Sequence, residues 1–201
     1  MAIETILADV GGVLIKNYDI SSDVRTRLNL PEETFRPLWK KLVNEYGSGL
    51  ITEAEMWSTF TRQGGAPIDE AENIFASPFE KHLIIYERVL DMFRQFGEKG
   101  YQLAILSDTN PNHAEVLERR GVYTPFQPHV FLSHQTGSRK PHPDAYLTAL
   151  TAMGVSNPSS VLFIDDRLPN LDAAKQLGLQ TVLSLDNEQQ IIDALTKAVQ
   201  A

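Results

Sequence analysis

Five short, almost unbroken apolar runs are spaced along the chain, at residues 3–10, 101–107, 129–132, 161–164 and 181–185. They lack the apolar–polar alternation of a half-exposed strand and read instead as strands buried on both faces, the environment of a parallel sheet covered by helices. Parallel neighbours need a crossover of a dozen or more residues, usually helical, and the sequence between the runs marks such helices. Asn110-Pro111 supplies an N-cap followed by proline at the first helical position, and Gly121 closes that helix after Arg119 and Arg120. Residues 168–177, ended by Gly178, form another. The expected fold is α/β: a doubly wound, Rossmann-like parallel sheet with right-handed crossovers.

Residues 16–84 interrupt this alternation with helical patterns and no strand, so they are expected to form an inserted helical module, leaving 1–15 and 85–201 as the sheet-containing core. A chain of 201 residues suits one core carrying one such module. Within the insert, Thr52-Glu53-Ala54-Glu55 is a capping box leading into Met56, Trp57 and Phe60 on one helix face. Gly64-Gly65-Ala66-Pro67 is a break between helices, not a phosphate loop.

Composition removes several functions. With 18 basic and 26 acidic residues the net charge is −8, which disfavours a nucleic-acid binder that must neutralise phosphates with a basic face. The absence of cysteine rules out disulfides, thiolate zinc sites and a cysteine nucleophile. No apolar stretch approaches the roughly 18 residues of a membrane-spanning helix, and no basic leader precedes the first run, so a cytoplasmic protein with no membrane partner is expected.

Ligands of open α/β sheets bind beyond the carboxyl ends of the strands, and the residues at those ends are unusual here. The first run ends in Asp9, followed by Gly11-Gly12; the second ends in Ser107-Asp108; the third is followed by Ser133, His134 and a loop carrying Arg139-Lys140; the fourth ends in Asp165-Asp166, with Asn170 a turn later. Singly, Asp9 reads as a turn residue, Ser107 as a cap and Lys140 as a solvated side chain. Two carboxylates directly after Val-Leu-Phe-Ile repel at the rim of a core, and a divalent cation is the economical reason to place them there. Together these residues supply a carboxylate nucleophile, a hydroxyl for an anion, an ammonium and metal-binding oxygens, the requirements of phosphoryl transfer.

In the order and spacing of Asp9-Val10-Gly11-Gly12-Val13, Ser107, Lys140 and Asp165-Asp166 with Asn170, the chain resembles the haloacid dehalogenase superfamily of phosphohydrolases, and the insert lies where that family carries its smaller cap domain. Leu132-Ser133, Arg139-Lys140-Pro141 and residues 49–57 are most similar to its sugar-1-phosphate phosphatase subgroup. The resemblance implies an aspartyl phosphate on Asp9 and Mg²⁺ held by Asp9, the Gly11 carbonyl and Asp166, with Asp165 behind them. It also implies that Ser107 and Asp108 lie at the substrate phosphate, that Lys140 offsets charge on Asp9 and the phosphoryl group, and that Asn170 supports the site. The implied partner is a small phosphorylated metabolite; oligomeric state is not encoded in any motif.

One position departs from that pattern: phosphatases of the family usually carry an acid two residues after the nucleophile, and here that residue is Gly11. General acid help is worth roughly 10²–10⁴ in rate, so its loss points to a substitute acid, an ester that needs little protonation, or a non-catalytic phosphate-binding or regulatory protein. Asp108, His134 and a cap residue are the candidate substitutes, and Asn17, Tyr18, Trp39, Tyr46 and Trp57 are candidates to face substrate. A 2-haloacid dehalogenase also uses an Asp nucleophile without that acid, but it needs no metal and lacks the acidic pair at Asp165-Asp166.

Overall fold

The structure is a computed structural model describing residues 2–69 and 72–200. Among them, five strands form one parallel sheet: β1 (Thr5–Ala8), β2 (Gln102–Ser107), β3 (Val130–Leu132), β4 (Val161–Asp165) and β5 (Gln180–Leu183), in the order β3-β2-β1-β4-β5. β1 is paired in register with β2 on one side and β4 on the other, Leu7 facing Ala104 and Phe163. The chain winds outward from β1 to β3, then returns past β1 to lay down β4 and β5. The switch point therefore lies at the carboxyl ends of β1 and β4.

Alternate strand residues enter opposite layers. Ile6, Ala8, Ile105 and Ile164 belong to an apolar cluster with Val89, Leu90 and Phe93 of α5 (Glu87–Glu98) and with Ile191 and Leu195 of α10 (Glu188–Val199). Leu7, Ala104, Leu106 and Phe163 form a second cluster with Tyr146 and Ala149 of α8 (Pro143–Ala152) and Leu171 of α9 (Leu168–Gln176). Both faces are covered, which is why the strand runs are continuously apolar.

Between β1 and α5 the described residues form four helices: α1 (Ser21–Leu28), α2 (Glu32–Gly47), α3 (Glu53–Arg62) and α4 (Ala76–His82). α3 starts on a complete capping box, with Thr52 Oγ1 accepting from Glu55 N–H and the Glu55 carboxylate accepting from Thr52 N–H. Phe35, Trp39, Trp57, Phe60 and Phe75 form a ring cluster with neighbouring centroids 5.0–6.5 Å apart. Its members share one apolar cluster with the α5 face of the sheet. α6 (Pro111–Arg119) opens on Asn110, whose side chain accepts from His113 N–H. α7 (Ser133–Thr136) is a single turn after β3, before the loop that carries Arg139-Lys140. No helix among the described residues is long and apolar enough to cross a membrane.

Candidate active site

Asp9 follows the last residue of β1 and continues the ladder, its N–H donating to Ile164 O at 2.9 Å. Its carboxylate thereby sits at the switch point, capped by Val10 N–H at 2.7 Å. The turn that follows demands glycine at Gly12. Its φ is +66°, and a Cβ there would lie 2.9 Å from Asp166 Cβ and Cγ.

Lys140 enters from the loop after α7. Its ammonium is buried and all three of its donors are used: Asp9 Oδ1, Asp165 Oδ2 and the Leu106 carbonyl each lie at 2.8 Å. Burial opposes its charge, but the Asp9 and Asp165 carboxylates outweigh that and hold its pKa above the ordinary lysine value. Asp9 moves the other way from most paired carboxylates. Burial, reinforced by Asp165, pushes it up to about 7 against the pull of Lys140.

Asp165 is fully buried and its oxygens are taken by Lys140, by Arg167 N–H at 2.8 Å and by Asn170 Nδ2 at 3.0 Å. Asn170 thus reaches the site through Asp165. Asp166 is half-buried and accepts from Asn17 Nδ2 at 2.7 Å; burial raises its pKa. Oxygen atoms of Asp9, Asp165 and Asp166 lie within 4.8 Å of one another. Three carboxylates against one ammonium leave an excess of negative charge, and hard oxygen donors of this kind fit Mg²⁺ or Ca²⁺. With Asp165 already engaged, Asp9 and Asp166 are the carboxylates left to face a cation.

Ser107, the last residue of β2, is buried, and among the described residues its hydroxyl has no protein partner. Asp108 lines the same cavity as Ser107 with both carboxylate oxygens engaged: its Oδ1 accepts Lys140 N–H at 3.0 Å and its Oδ2 lies 3.7 Å from Arg139 Nε. Its carboxylate fixes the loop that delivers Lys140. This cavity, of about 190 Å³, opens beside these residues, lined by Gly11, Asn17, Tyr18, Phe79, Ser107 and His113 among others. It holds roughly six waters' volume, so it suits a small ligand. A larger cavity, about 560 Å³ between α5 and α10, lies on the helical flank away from the Asp9 cluster.

Of the aromatic residues that sequence reasoning offered to substrate, Tyr18 lines the cavity, whereas Trp39 and Trp57 are packed in the ring cluster. Tyr46 donates to Asn112 Oδ1, joining α2 to α6. His134 lines a separate cavity with Tyr123 and Glu118. The histidine at the site is His113. It stacks on Phe79 with centroids 4.0 Å apart, its Nε2 has no partner, and burial lowers its pKa to about 4. Sequence reasoning passed over it because helix spacing pairs it with no other ligand; its signal was its place one turn past the Asn110 cap.

The family model for haloacid dehalogenase-like hydrolases matches residues 3–178. A glyceraldehyde 3-phosphate phosphatase of Pyrococcus abyssi is 36% identical over 86 residues, covering 42% of this chain and 36% of that protein. The chain spans about a third of the length of the curated relatives it matches first. Among solved structures, a HAD-like family hydrolase of Porphyromonas gingivalis superposes with TM-score 0.84 at 25% identity, covering 100% of both chains. The magnesium complex of HAD family enzyme bt-2542 of Bacteroides thetaiotaomicron superposes with TM-score 0.74 at 25% identity, covering 91% of this chain and 93% of that one.

Proposed function

This chain belongs to the haloacid dehalogenase-like hydrolase family, and from that premise we propose that it is a Mg²⁺-dependent phosphatase that hydrolyses a small phosphate monoester, a sugar phosphate, through an aspartyl phosphate on Asp9. The observation that carries this reading is the Asp9 carboxylate, 2.8 Å from a buried ammonium, grouped with two further carboxylates and followed directly in the chain by Val10 and Gly11, which line a small cavity. The magnesium bound by the Bacteroides protein and the sugar-phosphate substrate in the Pyrococcus protein's name support it.

Asp9, Asp166 and the Gly11 carbonyl would hold the cation, which supplies positive charge for the phosphoryl oxygens and keeps Asp9 ionised. Lys140 holds the Asp9 oxygen in place and adds a second positive charge beside the phosphorus. Ser107 Oγ, with no partner of its own, donates to a phosphoryl oxygen. Asp9 attacks phosphorus, the ester bond breaks, and water then cleaves the acyl phosphate to free phosphate and the Asp9 carboxylate. Residues 16–84 act as the cap: Tyr18 and Phe79 wall the cavity from that segment and limit the size of the alcohol.

The test is phosphate release from a panel of sugar phosphates with and without Mg²⁺. The wild type should turn over small esters only with the metal. Asp9→Asn should lose turnover while keeping its far-UV circular dichroism, and an active Asp9→Asn protein would overturn the reading.

A further inference from the structure

We infer that Arg139 is a positioning residue of this site: its guanidinium, seated between the Gly47 end of α2 and the Asp108 carboxylate, offsets the charge of Asp108 beside Ser107 and so makes phosphate binding depend on the docked insert. The inference rests on the phosphatase reading above.

Asp108 is an anion on the wall of a cavity that is to receive another. It lines that cavity with Ser107 and Thr109, and after Asp9 and Asp165 it is the third carboxylate that raises the Lys140 pKa against burial, so its charge reaches the site. The Lys140 ammonium cannot answer it, because Asp9, Asp165 and the Leu106 carbonyl take all three donors. The Lys140 main-chain N–H reaches Asp108 Oδ1 at 3.0 Å, but that is a dipole, not a charge. Among the described residues, the basic side chain paired with Asp108 is Arg139, with Nε 3.7 Å from Oδ2. The two side chains are 25% and 14% exposed, so solvent screens the pair only in part.

What seats the guanidinium is a glycine. Gly47 ends α2 with φ outside the left-handed region, and glycine weakens a helix relative to alanine, so its backbone gives no reason for the missing side chain. Arg139 does: a Cβ at position 47 would run into Nη1 and lie 3.5 Å from Cζ, with Thr109 O 3.4 Å away. The last turn of α2 holds no basic residue, and the guanidinium supplies the positive charge that its carboxyl end lacks. The Gly47 carbonyl accepts from Ser133 Oγ, which in turn accepts Thr109 N–H at 3.0 Å. The insert, the residues that follow β2 and the loop that delivers Lys140 thus meet at Arg139 and Ser133. Withdrawal of α2 would release the guanidinium and leave the Asp108 charge uncompensated beside the phosphoryl group.

The experiment measures the binding of inorganic phosphate by calorimetry, with saturating Mg²⁺, to wild type and variants. Arg139→Ala should weaken phosphate about tenfold, the size expected when a carboxylate close to a bound dianion loses its counter-charge at a partly buried site. Asp108→Asn added to it should recover most of that loss, since the carboxamide keeps an acceptor for Lys140 N–H and carries no charge; an arginine that only propped the fold would not be rescued by removing a second partner. Gly47→Ala should reproduce Arg139→Ala, because the new methyl displaces the tip of a flexible side chain, and should add nothing in the Arg139→Ala background. Mg²⁺ affinity should be unchanged throughout. Phosphate affinity unchanged in Arg139→Ala or in Gly47→Ala, no recovery on adding Asp108→Asn, or Mg²⁺ affinity falling in step with phosphate each overturns the inference. A wild type that neither binds phosphate nor hydrolyses any ester sinks the phosphatase reading itself, whereas one that does both, with an affinity that ignores Arg139, sinks only this step.

Discussion

The Lys140 ammonium lies 2.8 Å from Asp165 Oδ2, and the two side chains are 1% and 0% exposed. The same nitrogen is equally close to Asp9, so one buried cation separates two buried anions. Removing one partner of such a cluster costs about 3–5 kcal/mol because the remaining charges stay buried and uncompensated. Lys140→Met should therefore lower the urea midpoint of the metal-free protein by that equivalent, and Asp165→Asn added to it should recover part of the loss. A loss below about 1 kcal/mol would mean the ammonium does not hold the site together.

Metal binding should stabilise the fold through the same carboxylates. A ligand at a hundred times its Kd contributes about 2.7 kcal/mol, so Mg²⁺ should raise the wild-type Tm and chelation should reverse it. Asp166→Asn should abolish that shift. Because burial raises Asp9 to about 7, its proton must leave before a cation binds, and Mg²⁺ affinity should weaken as pH falls below about 7. Calorimetry across pH 5.5–8.5 checks the direction.

His113 makes a separate pH prediction. Its folded pKa of about 4 lies below the ordinary 6.5, so between those values the unfolded chain binds the proton and the native ring does not. Its contribution is complete above about 6.5 and is lost as pH falls towards 4. Each unit of depression is worth about 1.4 kcal/mol, making the loss a few kcal/mol. His113→Phe, stacked on Phe79 in the same way, should flatten stability across that window in denaturant titrations.

The capping box of α3 gives a local test. Thr52→Ala removes the side-chain acceptor for Glu55 N–H, a change worth about 1 kcal/mol. For a chain of this size that lowers Tm by about 2–4 °C. Mg²⁺ affinity should not change, since α3 carries none of the site carboxylates.

The sheet was legible because its strands are buried on both faces, which writes each one as an apolar run. Boundaries moved by a residue or two: the fifth strand ends at Leu183 rather than Leu185, whose side chain is 62% exposed where the chain leaves the sheet. The carboxylates could be located because each follows a strand, and Lys140 because it lies in the loop region beyond the third one. What spacing concealed was partnership. The acidic pair suggested a cation, with Asp165 expected behind its ligands; spacing could not show that Asp165 is compensated by Lys140 and Asn170, which the winding of the chain brings near. Spacing also gave no sign that Asp108, expected at the substrate phosphate, accepts the Lys140 main-chain N–H while lining the cavity. His113 owes its place to stacking on Phe79, a contact across 34 residues that no periodicity describes.

The apolar cluster that starts at Ile6 under the sheet runs without a break through Phe79 and Phe75 to Trp57 and Phe35. Phe79, which lines the cavity beside Ser107, is thus also part of the keel that stabilises the molecule. Trimming Phe79 to widen the cavity would cost cohesion at once, so room for a bulkier ligand and thermal resilience trade against each other along this seam. Variants that widen the cavity should need a compensating change deep in the sheet, far from any atom the substrate meets.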